Sequence, residues 1–188
     1  MSAVRRVVVG VNGSLGSLQA LRLAADEARD RHAVLTPVIA WVPPGGDFAE
    51  RSHPSPYLRR IWREAARERL AEAFDAGLGG VPDDIPVQAR VERGEAGPVL
   101  VDVAEHPDDL LVIGTGRRSP IARALRRSVG RYCLAHAKCP VLAVPPSSLV
   151  AELGDGRMAR SWSLRGRRVL MLEIEHEIDH RTPPHGVC

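Results

Sequence analysis

Apolar residues recur along this chain in two alternating rhythms, one of strands and one of helices. Arg5-Arg6-Val7-Val8-Val9-Gly10-Val11 is β-branched and nearly continuous, the pattern of a strand buried on both faces of a parallel sheet. Asn12-Gly13-Ser14 turns the chain. Leu18, Leu21, Ala25 and Ala28 then follow at three- and four-residue spacing, which predicts a helix with Ser14 or Ser17 as its cap. Ala33–Trp41 is the next strand, interrupted by Pro37. A proline brings no amide to a ladder, so an edge or bulged position is expected near it.

Pro43 to Pro56 is loop-like and long for a compact domain. Tyr57–Leu78 is rich in Arg, Glu and Ala and predicts a helix with Leu58, Ile61, Ala65, Leu70 and Phe74 on its inner stripe. A third strand is expected at Ile85–Val91, a helix from Gly97-Pro98, and a fourth strand at Leu110–Ile113. Ser119-Pro120 has the form of a cap and first helical turn, Ser128–Ala137 of a last helix, and Pro140–Val144 of a fifth strand. The order β-α-β-α-β-α-β-α-β gives an α/β fold: an open five-stranded parallel sheet with helices on both faces. Such sheets bind ligands beyond the carboxyl ends of their strands, where the strand order switches. The Gly-containing turns after Val11 and after Ile113 both lie at such ends, and they form one site if the first and fourth strands are neighbours.

Charge sharpens this picture. The net charge is only +3, but no acidic residue lies between Asp109 and Glu152, while Arg117, Arg118, Arg123, Arg126, Arg127, Arg131 and Lys138 all do. That interval attracts anions, unless it is simply a solvated basic face. Tyr132 is the one aromatic residue within it, so stacking on single-stranded nucleic acid is poorly supported. Cys133, Cys139 and Cys188 show no metal spacing and suit a reducing cytoplasm. The longest apolar runs fall far short of a membrane span of about 20 residues. The first six residues lack the architecture of a signal peptide, so a soluble cytoplasmic protein is expected.

Three stretches carry a family resemblance. They are the V-G-V-N-G-S opening within VVVGVNGSLGSLQALRLAADEA, the D-L-L-V-I-G strand, and the H-A-x-C-P-V-L-x-V-P tail at His136–Pro145. Together they resemble the universal stress protein family over residues 4–146. The resemblance implies the expected fold and a stress-response module without enzymatic activity. In some members it implies an adenine nucleotide such as ATP, with Mg as a companion. It places the nucleotide against Val11, Asn12, Gly13, Ser14, Ile39, Ala40, Gly114, Thr115, Gly116, Arg117, Arg118, Arg127, Ser128 and Val129. It also implies a homodimer through the exposed edge of Pro140–Val144.

The sequence departs from the family at informative places. Nucleotide binders carry Gly-x2-Gly-x9-Gly-[Ser/Thr] after the fourth strand; here the first glycine is Gly114 and the hydroxyl residue is Ser128. The second glycine falls on Arg117, beside Gly116, and the third on Arg127. Glycine serves there because amides must reach a phosphate with no side chain in the way. Asn12 stands where the family usually has aspartate, close to nucleotide and metal. Two readings follow. Guanidinium groups can bind phosphate bidentately and take over from the lost amides, or they can fill the cleft and leave a nucleotide-independent interaction protein. A general anion or nucleic-acid binder ranks below both. A PP-loop enzyme would need S-G-G-x-D-S after the first strand, where Asn12-Gly13-Ser14-Leu15-Gly16-Ser17 has no aspartate.

No Ser-His-Asp arrangement, paired carboxylates or metal cluster is evident in the domain, so no enzyme is expected. Residues 147–188 lie outside the resemblance and read as a linker plus a short amphipathic element. Within it, His176 and His180 have i,i+4 spacing among acids, a weak metal pattern.

Overall fold

Val7, Val8 and Val9 are fully buried, yet they point alternately into two different cores. That is the physical content of a continuous apolar strand: both faces of the sheet are covered. A computed structural model describes residues 4–46, 54–115 and 128–145. Its elements are β1 (Arg6–Gly10), α1 (Leu15–Arg31), β2 (Val34–Trp41), α2 (Pro56–Leu78), β3 (Arg90–Arg93), α3 (Ala96–Val103), β4 (Asp109–Gly114), α4 (Val129–His136) and β5 (Val141–Val144). The strands lie in the order β3-β2-β1-β4-β5, every pair parallel.

One core joins Val7, Val9, Leu110 and Val112 to Leu18, Leu21 and Ala25 of α1 and to Leu70, Ala73 and Phe74 of α2. The other joins Val8, Leu111 and Ile113 to Leu100 of α3 and Cys133 of α4. The buried line of α2 runs through Ala66, Leu70, Ala73, Phe74 and Gly77. Leu58, Ile61 and Ala65, expected on that line, are only partly buried.

Two sequence expectations need correction. β2 is not an edge strand, since it lies between β1 and β3. Pro37 is tolerated because its ring nitrogen falls where the β3 ladder is broken. Leu35 donates to Pro86 and accepts from Gln88, whereas regular pairing with β3 begins only at Val38↔Arg90. The third strand is therefore Arg90–Arg93 and not Ile85–Val91, with Val87 in an isolated bridge and Ile85 as a core plug. Of the two cap candidates, Ser14 is the one that caps α1. The expected helix after Ser119-Pro120 and the segment 147–188 lie outside the described residues.

At the amino end of the sheet, the two central strands are tied by charge. Arg6 Nε and Nη2 donate to Asp109 Oδ1 at 2.9 Å and Oδ2 at 2.7 Å. The His106 amide donates to Asp109 Oδ2 at 3.1 Å, and Arg6 also reaches the Val103 carbonyl at 3.2 Å. Asp109 is 1% exposed, so a carboxylate buried this deeply needs these partners. The pairing raises the Arg6 guanidinium further above its already high range. β1 and β4 are thereby held in register, and register decides what meets at their other ends.

Candidate functional site at the ends of β1 and β4

At the carboxyl end of β1, each turn residue is fixed by a hydrogen bond. The Val11 amide donates to the Val38 carbonyl at 2.8 Å, keeping the chain on β2 one residue beyond the strand. Asn12 Oδ1 accepts the Ser14 amide at 3.1 Å, an Asx turn, and Gly13 follows the bend with φ of 75°. Ser14 Oγ accepts the Ser17 amide at 3.3 Å and so caps α1. The buried Ser17 hydroxyl donates to the Ser14 carbonyl at 2.8 Å and accepts the Asn12 amide at 3.3 Å. This closed network leaves the amides of the first helical turn pointing out of the end of the helix.

β4 ends against that turn. A Cβ built on Gly114 would overlap the Gly16 carbonyl oxygen and lie 2.7 Å from the Gly16 carbonyl carbon and 3.1 Å from the Ser17 nitrogen. Glycine is the only residue that lets the two backbones approach so closely. Thr115 then turns away. Its amide and hydroxyl both donate to the Val144 carbonyl, at 2.8 and 3.0 Å. On the opposite face, Gly130 packs α4 onto the same strand end, its Cβ position lying 3.5 Å from Ile113 Cδ1. Ser128 is the cap residue of α4 but makes no side-chain capping bond.

Two helix N-termini thus abut the last residues of β4, one on each face. Each contributes roughly half a positive charge and several unpaired amides. Neither has an acidic residue in its first turn. Helix ends of this kind favour negative charge over positive.

The structure brings the turn of Val11, Asn12, Gly13 and Ser14 to Gly114, whereas Thr115 is bonded to Val144 of β5 and Ser128 and Val129 begin α4 on the opposite face of β4. Ile39 is 3% exposed and belongs to the core shared with α1 and α2, while Ala40 is half-buried on the other face. These two line β2 beside the turn and do not form part of it. Gly116, Arg117, Arg118 and Arg127 lie outside the described residues. Gly16 and Ser17 were not among the site residues expected from the sequence. The available signal was a glycine in the first turn of a helix, a poor helix former kept for close approach.

An open groove of about 250 Å³ lies on the α3 face by β3. Arg6, Arg90 and Arg93 line it together with Glu92, Asp102 and Glu105. Its charges balance, so it has no net pull on an anion. Among the described residues no three His, Cys, Asp or Glu side chains come together as a metal site, and no helix is long and apolar enough to cross a membrane.

Residues 3–145 match the sequence model of the universal stress protein family. The chain is 28% identical over 148 residues to universal stress protein Rv2005c of Mycobacterium tuberculosis, covering 73% of this chain and 47% of that one. It is 30% identical over 143 residues to a universal stress protein of Mycolicibacterium smegmatis, covering 74% and 45%. The chain spans about half the length of the curated relatives it matches. Among solved structures, a universal stress protein in complex with cAMP superposes with a TM-score of 0.51 at 29% identity, covering 78% of this chain and all of that one. UspA from Lactobacillus plantarum superposes with a TM-score of 0.53 at 23% identity over 77% and 99%, a likeness of fold. The match over residues 3–145, with the sheet order and the turn geometry just described, places this chain in the universal stress protein family.

Proposed function

We propose that residues 1–146 form a non-enzymatic stress-response module that binds an adenine nucleotide in the cleft between the β1–α1 turn and the end of β4, with 147–188 as an extension. The observation that carries this reading is the closure of Gly114 onto Gly16 and Ser17. It joins the open end of α1 to the strand end that α4 also meets, giving a donor-rich hollow at the strand switch. The cAMP complex of a relative at 29% identity supports the ligand class. The phosphoryl group lies against the amides at Gly13 and in the first turn of α1, with Ser128 and Val129 opposite. The module acts in the cytoplasm, where the free thiols of Cys133 and Cys139 stay reduced.

The hollow supports binding and not turnover. Phosphoryl transfer needs an acid that holds a metal and a group that orients water. Asn12 offers neither, because its one acceptor oxygen is engaged by the Ser14 amide. The module pairs with a second copy through the free edge of β5.

Mass spectrometry of small molecules released from freshly purified protein, followed by calorimetry, tests the reading. An adenine nucleotide is released, and rebinding is at micromolar level. Absence of heat with AMP, cAMP and ATP, with and without magnesium, would overturn it. That result would favour arginines filling the cleft.

A further inference from the structure

Among the described residues, the metal implied by the family resemblance finds no carboxylate ligand at this cleft. Mg²⁺ asks for hard oxygen donors and is normally held by one or two carboxylates together with substrate phosphates. The residue placed for that task is Asn12, which carries no charge and whose Oδ1 accepts the Ser14 amide at 3.1 Å. Rotating Asn12 toward a metal would break the Asx turn that sets the start of α1.

Nothing described nearby takes its place. β1, β2 and α4 contain no acidic residue at all. The first acid of α1 is Asp26, eleven residues from Leu15 and so about 16 Å along the axis. The one acid of β4, Asp109, sits at the far end of the strand and is already paired with Arg6. Glu92 and Glu95 belong to β3 and the start of α3, and β2 separates that strand from β1 by about 10 Å. Both helix ends at the cleft are positive and repel a cation.

We infer that this cleft prefers the free nucleotide anion to its magnesium chelate, so that magnesium weakens ATP binding instead of promoting it. The inference rests on the nucleotide reading above. The physical logic is substitution: amides at two helix ends meet the phosphoryl oxygens that a metal would otherwise cover. Magnesium in solution then competes with the protein for the triphosphate. A nucleoside monophosphate, which holds magnesium weakly, escapes that competition.

Calorimetry on the full chain with AMP and with ATP, each in EDTA and in excess magnesium, tests this. ATP binds about three- to tenfold more weakly in magnesium, a change of the size that a helix-end charge interaction supplies, while AMP changes less than about twofold. Asn12→Asp, the acid isostere, reverses the order: ATP then binds more tightly in magnesium, and AMP in EDTA binds more weakly than to the unaltered chain. ATP affinity in the unaltered chain that is equal or higher in magnesium overturns the inference and leaves the nucleotide reading standing. Failure of both nucleotides under both conditions overturns the two together.

Discussion

Gly114 ends β4 with its Cα pressed against the backbone of Gly16, so closely that even a methyl group on Gly114 has no room. The neighbouring atoms are a carbonyl and an amide at the start of α1, not the flexible end of a side chain. Strand and helix must therefore separate to admit any other residue. Gly114→Ala is expected to lower stability by about 1–3 kcal/mol, the usual cost of overpacking, and to abolish nucleotide binding. Denaturant melting and calorimetry on the same preparation check both. Unchanged stability would show that the contact is looser than described.

At the other end of the same two strands, Asp109→Ala leaves the Arg6 guanidinium half-buried without its carboxylate. Removing one partner of a buried pair costs about 3–5 kcal/mol; the exposed side of Arg6 places the expected loss at the low end of that range. The double variant Arg6→Met with Asp109→Leu should recover much of it, since no charge is then stranded. Urea denaturation of the three chains gives the comparison.

The alternation of strands and helices and the two-sided burial were legible in the sequence because Val7 to Val9 and Leu110 to Ile113 have no polar face to spare. The third strand was misjudged for an equally physical reason. Ile85 and Val87 look like strand residues, but Pro37 on the neighbouring strand can offer no amide there, so the ladder starts three residues later at Arg90. Of the cleft, the two turns were legible as Gly-containing breaks at strand ends. Their convergence was not, because the Gly114–Gly16 contact joins segments about a hundred residues apart and depends on β1 and β4 being neighbours. The uncapped state of Ser128 is likewise a matter of geometry that no residue type encodes.

Burial pushes the Cys133 thiol up from an ordinary value near 9.0 to about 11, and burial raises the Cys139 thiol as well. A group whose folded value is raised stabilises the fold below its unfolded value and loses that contribution as pH rises through the folded one. Stability should therefore fall between about pH 9 and pH 11, and less so in Cys133→Ala. At neutral pH both thiols stay protonated and should react slowly with iodoacetamide until the chain is unfolded. Mass-resolved alkylation with and without urea reads this out.

β5 carries its free edge outward. The carbonyls of Pro140 and Val144 accept from Leu111 and Thr115 of the β4 side, so the alternation of a parallel ladder turns Val141 and Ala143 away from it. No described segment pairs with that edge. If it is the dimer contact proposed above, Ala143→Pro, which removes an outward amide, should shift the protein toward monomer in sedimentation while the domain still melts cooperatively. An unchanged sedimentation coefficient would place the interface elsewhere.

The account stands most directly on where a nucleotide touches the chain. An amide-resolved NMR titration of isotope-labelled protein with AMP reports every candidate contact at once. The expected shifts fall on Gly13 to Ser17, on Gly114 and Thr115, and on Ser128 to Gly130, while Arg90 to Glu105 around the charge-balanced groove stay still. Shifts confined to that groove, or none at all at millimolar AMP, would contradict the claim that the β1 and β4 ends form one anion-binding hollow.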